Sequence, residues 1–267
     1  MLVRDLMNSS KRGWENDEDG PFLCGCEYEV EDIVDYNGGF LEERGISVVE
    51  DHSLRNNGRE FVTSIHYFED QLEVFKHLHK NIVVGKEPFS ERTSIHVHVN
   101  VRSFSTSQLK QFVLLYALVE PLFFNFVGGT RKNSIYCVPL SATYLPSIYC
   151  LDIQTILNKW HKYTALNLLP ILGGDGSKKL GSVEFRHMYG TSSVNEFSVY
   201  LGAIKNLYDK VNFELDSWKV VDGLSTKEST YSLIRSTLPT LSAGYTNEEL
   251  LALTKNTQID VKLSEVL

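Results

Sequence analysis

Three short alternating pairs constrain this chain more than any other feature: Glu27-x-Glu29, His96-x-His98 and Glu184-x-Arg186. Each interrupts a run of strand-forming residues, with Cys26 and Tyr28 in the first, Ile95, Val97 and Val99 in the second, and Val183 and Phe185 in the third. Side chains two apart on a strand point to the same side. Each run therefore reads as a strand with one apolar face and one ionisable face. Three such strands predict a sheet that covers a core on one surface and gathers carboxylate, imidazole and guanidinium groups on the other. That mixture suits divalent cations and phosphate.

At 267 residues, 42% hydrophobic and 22% charged, the chain can bury a full core as one large domain or two small ones. A net charge of -8 argues against a general nucleic-acid-binding surface. The four cysteines, Cys24, Cys26, Cys137 and Cys150, lack a disulfide-scaffold spacing, and no apolar signal region follows Arg4. The expectation is a reducing, cytoplasmic setting. No run approaches about 18 consecutive apolar residues, so no membrane span is expected.

Local signals set out the organisation. Residues 1–20 form a polar arm, and the first strand covers 22–33. There Glu27, Glu29 and Glu31 share a face and repel unless a cation or an arginine offsets them. A strand at 45–49, the turn Asn56-Asn57-Gly58 and an extended segment 59–65 follow. Residues 68–79 have helical period, with His77 and His79 on the helix surface. Ser105-x-x-Gln108 reads as a capping box opening an apolar helix, which Pro121 should kink or end. That helix is apolar nearly all round, so something must cover its far side; a partner subunit would make the protein a homo-oligomer. Capping signatures at Ser193/Glu196 and Thr246/Glu249 predict helices at 194–212 and 247–254, with a weaker one at 152–160. Gly173-Gly174-Asp175-Gly176 with Lys178 and Lys179 reads as a basic loop without P-loop spacing, a hairpin connection or else a cover for phosphate. The predicted division is an arm (1–20), a catalytic domain (21–215) and a C-terminal helical appendage (216–267). The predicted fold is α+β: a curved, mostly antiparallel sheet with helices packed on its apolar face and a funnel-shaped site on the other.

Taken singly, the pairs have plain readings. Glu-x-Glu is commonly a solvated strand face, and Glu184 with Arg186 could be a surface ion pair contributing roughly 0 to 1 kcal/mol. Together with Gly25-Cys-Glu27-Tyr-Glu29, Gly58-Arg-Glu60-Phe-Val, Ser94-Ile-His96-Val-His98-Val-Asn100, Arg131 with Asn133 and Tyr136-Cys137, Lys162-Tyr163 with Asn167, and Val183-Glu184-Phe-Arg186, they occur in a recognisable order. That order resembles amidoligases of the glutamine synthetase-like fold, over about residues 24 to 191. The resemblance is to a compact, viral-type relative without the large N-terminal domain of true glutamine synthetases.

The resemblance implies an ATP-dependent carboxylate-amine ligase working through an acyl phosphate, with Mg²⁺ or Mn²⁺ as cofactor ions. It implies metal ligation by Glu27, Glu29, Glu60, His96 and Glu184, nucleotide contacts by His98 and Lys162, and phosphate contacts by Arg131 and Arg186. The two arginines are also the catalytic candidates. Asp51 lies near a further acidic position at an unusual spacing from Glu60, and a carboxylate or His52 could deprotonate the amine. The partners implied are a carboxylate and an amine, as small molecule, peptide or protein. Two other readings stay open: a guanidino-type phosphotransferase on the same fold, and a non-enzymatic zinc module built from Cys24, Cys26, His96 and His98.

Overall fold

A computed structural model describes residues 1–7, 21–140, 152–173, 179–214 and 219–266. In chain order the elements are α1 (Val3–Leu6), β1 (Leu23–Val30), β2 (Ile33–Tyr36), α2 (Gly38–Glu43), β3 (Ile46–Glu50), β4 (Arg59–Thr63), β5 (His66–Tyr67), α3 (Phe68–Asn81), β6 (Ile82–Val84) and β7 (Ser94–Asn100). There follow α4 (Thr106–Val127), α5 (Gly129–Lys132), α6 (Ile153–Asn158), β8 (Leu166–Asn167), β9 (Ser182–Tyr189) and α7 (Val194–Asp209). The chain closes with α8 (Lys227–Thr237), α9 (Pro239–Ser242), α10 (Asn247–Leu253) and α11 (Lys255–Val266).

The main sheet has the order β3-β4-β1-β7-β9-β8, with β5 also paired to β1. All its ladders are antiparallel. A second, two-stranded antiparallel sheet joins β2 and β6. The fold is thus α+β, an antiparallel sheet with helices, as the alternation and capping signals predict.

Period-two patterning sets which face is core. Cys24, Cys26, Tyr28, Ile95, Val97, Val99, Val183 and Phe185 are each at most 1% exposed. The Tyr28 ring lies 5.3 Å from Phe75 of α3 and 5.7 Å from Phe197 of α7. Phe185 meets Tyr116 of α4 at 5.7 Å. Helices α3, α4 and α7 therefore cover the apolar face.

Helix α4 starts as predicted: Ser105 Oγ accepts from the Gln108 amide at 3.0 Å, and Gln108 Oε1 accepts from the Ser105 amide at 2.8 Å. It does not end at Pro121 but continues to Val127. Its length and apolarity would suffice to cross a membrane, and its side chains from Phe112 to Glu120 are buried. The chain itself supplies the cover for the far side. Gln111 accepts from the Val220 amide at 2.8 Å, and the Thr257 hydroxyl donates to the Leu118 carbonyl at 3.2 Å. Leu224, Ile234, Leu238, Leu250 and Val261 of the C-terminal segment are at most 1% exposed. The segment expected as an appendage therefore completes the core around α4, which removes the reason for invoking a partner subunit there.

Two smaller expectations change. Residues 1–7 do not hang free, because α1 docks through the Val3 amide on the Phe104 carbonyl at 2.8 Å with Val3 fully buried. His79 is not a plain surface residue: its ring packs edge-on against Phe75 at 4.5 Å, and burial pushes its pKa down to about 4. The rest of the arm, Cys150 and the loop 174–178 lie outside the described residues.

Candidate active site

Register turns three sequence pairs into one cluster. β1 and β7 pair Glu27 with His96 and Gly25 with His98, β1 and β4 pair Glu29 with Glu60, and β7 and β9 pair His98 with Glu184. Directly opposed residues on adjacent strands share a face. The carboxylates and imidazoles therefore meet on the side of the sheet away from the helices.

A continuous line of polar contacts runs across that face. Glu29 Oε2 accepts from the Ser94 amide at 2.7 Å and from the Ser94 hydroxyl at 2.6 Å. Ser94 Oγ lies 2.8 Å from His96 Nε2, and His96 Nδ1 lies 3.0 Å from Glu27 Oε2. The other Glu27 oxygen lies 3.2 Å from His98 Nε2, and His98 Nδ1 lies 3.2 Å from the Ser182 hydroxyl. Glu184 adds a branch, with one oxygen 3.5 Å from His96 Nδ1 and the other accepting from Asn167 Nδ2 at 2.6 Å. Arg186 Nη1 donates to the first Glu184 oxygen, and its Nε donates to the Tyr136 carbonyl at 3.3 Å.

Charge in the cluster is unevenly compensated. Burial alone would raise Glu27, but the charge of His98 and hydrogen bonds from His96 and His98 outweigh it and hold the carboxyl well below its ordinary value. Burial would likewise depress His98, yet Glu27 and Glu184 beside it raise its pKa to about 9. Glu60 has no such help. Burial and the carboxylates of Glu27, Glu29 and Asp51 push it up to about 8.

Among the described residues, one group offers three ligand atoms close together: Glu27, His98 and Glu184, whose atoms lie within 4.8 Å of one another. Opposed ligands at about 2.1 Å from a small divalent cation sit at most about 4.2 Å apart, so little closure is needed. The donors are oxygen and nitrogen, the set preferred by hard and borderline divalent ions.

The predicted residues do not all take their expected places. Glu27, Glu60, His96 and Glu184 converge. Glu29 shares the face, but its Oε2 is turned onto Ser94. His98, expected beside the nucleotide, belongs to the three-atom group instead. Glu31 leaves the cluster: it accepts from the Arg55 amide at 2.8 Å and pairs with the Arg55 guanidinium at 3.5 Å, the arginine offset anticipated for the third carboxylate. Arg131 is a correction. It is 6% exposed, and its Nε and Nη2 donate to the carbonyls of His187 and Arg186, so those donors do not face phosphate. Lys162 places its ammonium 5.0 Å over the Tyr163 ring, which in turn meets the Tyr136 ring at 5.4 Å. His52 is exposed. The zinc reading fails on alternation, because Cys24 and Cys26 are buried on the core face, opposite His96 and His98.

In the sequence motifs Ser94 and Asn167 stand without a role, and Ser182 is not singled out. The two serines carry a usable signal, since each lies two residues before a predicted site residue, His96 or Glu184, on the same face. Asn167 becomes legible only once β8 pairs it with Glu184.

Fold and site together define an antiparallel α+β scaffold carrying a carboxylate, imidazole and guanidinium cluster on one sheet face. The model of the family described as "Putative amidoligase enzyme" matches residues 23–170, more than half of the chain, and the chain belongs to that family of ligases. The match covers β1, β4 and β7 but ends before β9, so Glu184 and Arg186 join the matched part through strand register. No curated protein matches the chain.

Proposed function

We propose that this amidoligase joins a carboxylate to an amine with ATP as the activating reagent. The observation that carries the reading is the convergence of Glu27, His98 and Glu184 within 4.8 Å, with the Arg186 guanidinium held on Glu184 at the margin.

A carboxylate and an amine do not condense in neutral water, because the carboxylate is a poor electrophile. In the proposed reaction a carboxylate oxygen of the substrate attacks the terminal phosphorus of ATP, and ADP leaves. The amine then attacks the resulting acyl phosphate, forming the amide and releasing phosphate. Glu27, His98 and Glu184, with Glu60 and His96 beside them, are the residues that would hold Mg²⁺ or Mn²⁺. Such an ion neutralises the terminal phosphates when bound. Ser94 and Ser182 fix the two imidazoles, and Asn167 fixes Glu184, so the ligand atoms are aimed before a cation arrives. With Nε and one Nη1 hydrogen held by the Tyr136 carbonyl and Glu184, the outer edge of the Arg186 guanidinium would donate to the phosphoryl oxygens.

The test is to incubate the purified chain with Mn²⁺, ATP and pooled carboxylates and amines. The ligase reading expects phosphate release that needs both a carboxylate and an amine. A stable phosphorylated product formed in their place would identify a phosphotransferase and overturn it.

A further inference from the structure

We infer that Arg131 is the positioning residue of Arg186 and acts through the main chain of β9. The inference deepens the ligase reading and rests on it, because that reading gives the Arg186 guanidinium its task.

Arg131 sits in α5, just beyond Gly128, whose φ of +87° ends α4 and turns the chain. From there its buried side chain reaches two consecutive carbonyls: Nε donates to His187 at 3.0 Å and Nη2 to Arg186 at 2.7 Å. These belong to the place where the β7–β9 register slips. Val97 pairs with Phe185 and Ile95 with Met188, so two residues of β9, Arg186 and His187, stand against the single residue His96. A bulge of this kind interrupts the ladder and re-aims a side chain. Buried carbonyls freed from a ladder need other donors. The planar guanidinium satisfies both at once, which a single lysine ammonium cannot do in the same fork geometry.

The two bulge residues are held on opposite faces. On the core side, His187 Nε2 lies 2.8 Å from the Tyr116 hydroxyl and Nδ1 lies 3.4 Å from the Tyr200 hydroxyl. On the site side, Arg186 is held by Glu184 and the Tyr136 carbonyl. Arg131 clamps the peptide between these anchors. The backbone conformation it fixes sets where the Arg186 guanidinium points. Errors of about 1 Å in such placement cost on the order of 10²-fold in rate.

The experiment uses the full chain, with AMP-PNP and Mn²⁺ as the nucleotide probe. Affinities come from calorimetry for the wild type, Arg131→Lys, Arg186→Ala and the double variant, and the Nε–H resonance of Arg186 from ¹⁵N-edited NMR. Arg131→Lys is expected to weaken Mn²⁺–AMP-PNP binding about 10- to 100-fold, to change the affinity for Mn²⁺ alone by less than that, and to shift the Arg186 resonance. The double variant should bind no more weakly than Arg186→Ala, because Arg131 acts only through Arg186. Additive losses, or an Arg186 resonance unmoved by Arg131→Lys, would overturn the inference. If Arg131→Lys does not fold, the wild type decides: the Arg131 Nε–H should exchange slowly and ignore the nucleotide while that of Arg186 moves, and the reverse pattern overturns the inference. A wild type that binds Mn²⁺ but not AMP-PNP would count against the ligase reading, while the link between Arg131 and the Arg186 resonance would still be decided by NMR.

Discussion

Replacing His187 with glutamine should remove a defined part of the protein's acid sensitivity. His187 is fully buried, stacked on Phe123 at 5.2 Å and edge-on to Phe124 at 4.9 Å. Tyr116 donates its hydroxyl proton to Glu120 at 2.7 Å, so the neighbouring His187 Nε2 carries the imidazole's proton and Nδ1 is left as an acceptor facing Tyr200. A second proton would bury a cation near Arg131. Burial first, and the Arg131 charge second, lower the pKa from 6.5 to about 3. The unfolded chain takes up this proton near pH 6.5 and the folded chain does not, so the stabilisation is complete above pH 6.5 and is lost as pH falls towards 3. At about 1.4 kcal/mol per pH unit, the loss between pH 6.5 and 4.5 is about 2.5 kcal/mol, and the full span approaches about 4 to 5 kcal/mol. Glu60 contributes with the opposite sign over part of this range. Its pKa is raised from 4.5 to about 8, so its stabilisation is complete below 4.5 and is lost as pH rises to 8. The quantity to measure is therefore the wild-type minus His187→Gln difference in urea-unfolding free energy, at pH 7.5 and at pH 4.5. The difference should move by about 2 to 3 kcal/mol in favour of the variant at the lower pH. A difference that stays constant across that interval would refute the buried neutral imidazole.

Three further outcomes follow from the architecture. Arg186→Ala should keep the fold, since the side chain is partly exposed on the site face, and, on the proposed ligase reaction, lower turnover with ATP by about 10³-fold, as arginines at phosphoryl-transfer sites do; steady-state kinetics with circular dichroism on the same preparation checks both halves. Leu250→Ala in α10, at a position with no exposure, should cost about 2 to 5 kcal/mol and lower the midpoint of a single unfolding transition; two transitions, with only one shifted, would mean that the C-terminal helices fold as a separate unit. Ser94→Ala removes the hydroxyl between Glu29 and His96, and Mn²⁺ affinity should fall about 10-fold or more by calorimetry while the fold is retained.

What could be read from the chain, and what could not, divides along the range of the interactions. Strand faces and helix starts are local, so alternation gave the core side of β1, β7 and β9, and the Ser105 and Thr246 capping boxes marked real helix starts. The convergence of Glu27, His96, His98 and Glu184 needs strand neighbours and register, which join residues up to about 160 positions apart and leave no local trace. The bulge at Arg186 and His187 is also a property of the pairing, so Arg131, which the resemblance assigned to phosphate, is tied to main-chain carbonyls for a reason that no local pattern shows. Helix α4 announced by its composition that both sides are covered. The identity of the cover, the chain at Val220 and helix α11 at Thr257, emerged only from tertiary packing.

On the proposed function, Glu27, His98 and Glu184 share one divalent cation. Titrating Mn²⁺ into the wild type and into Glu27→Gln, His98→Ala and Glu184→Gln, and reading free Mn²⁺ by electron paramagnetic resonance, addresses it directly. The expected result is one tight site in the wild type and a loss of at least about 10-fold in affinity for each variant, with secondary structure retained. Variants that bind Mn²⁺ as the wild type does would contradict it.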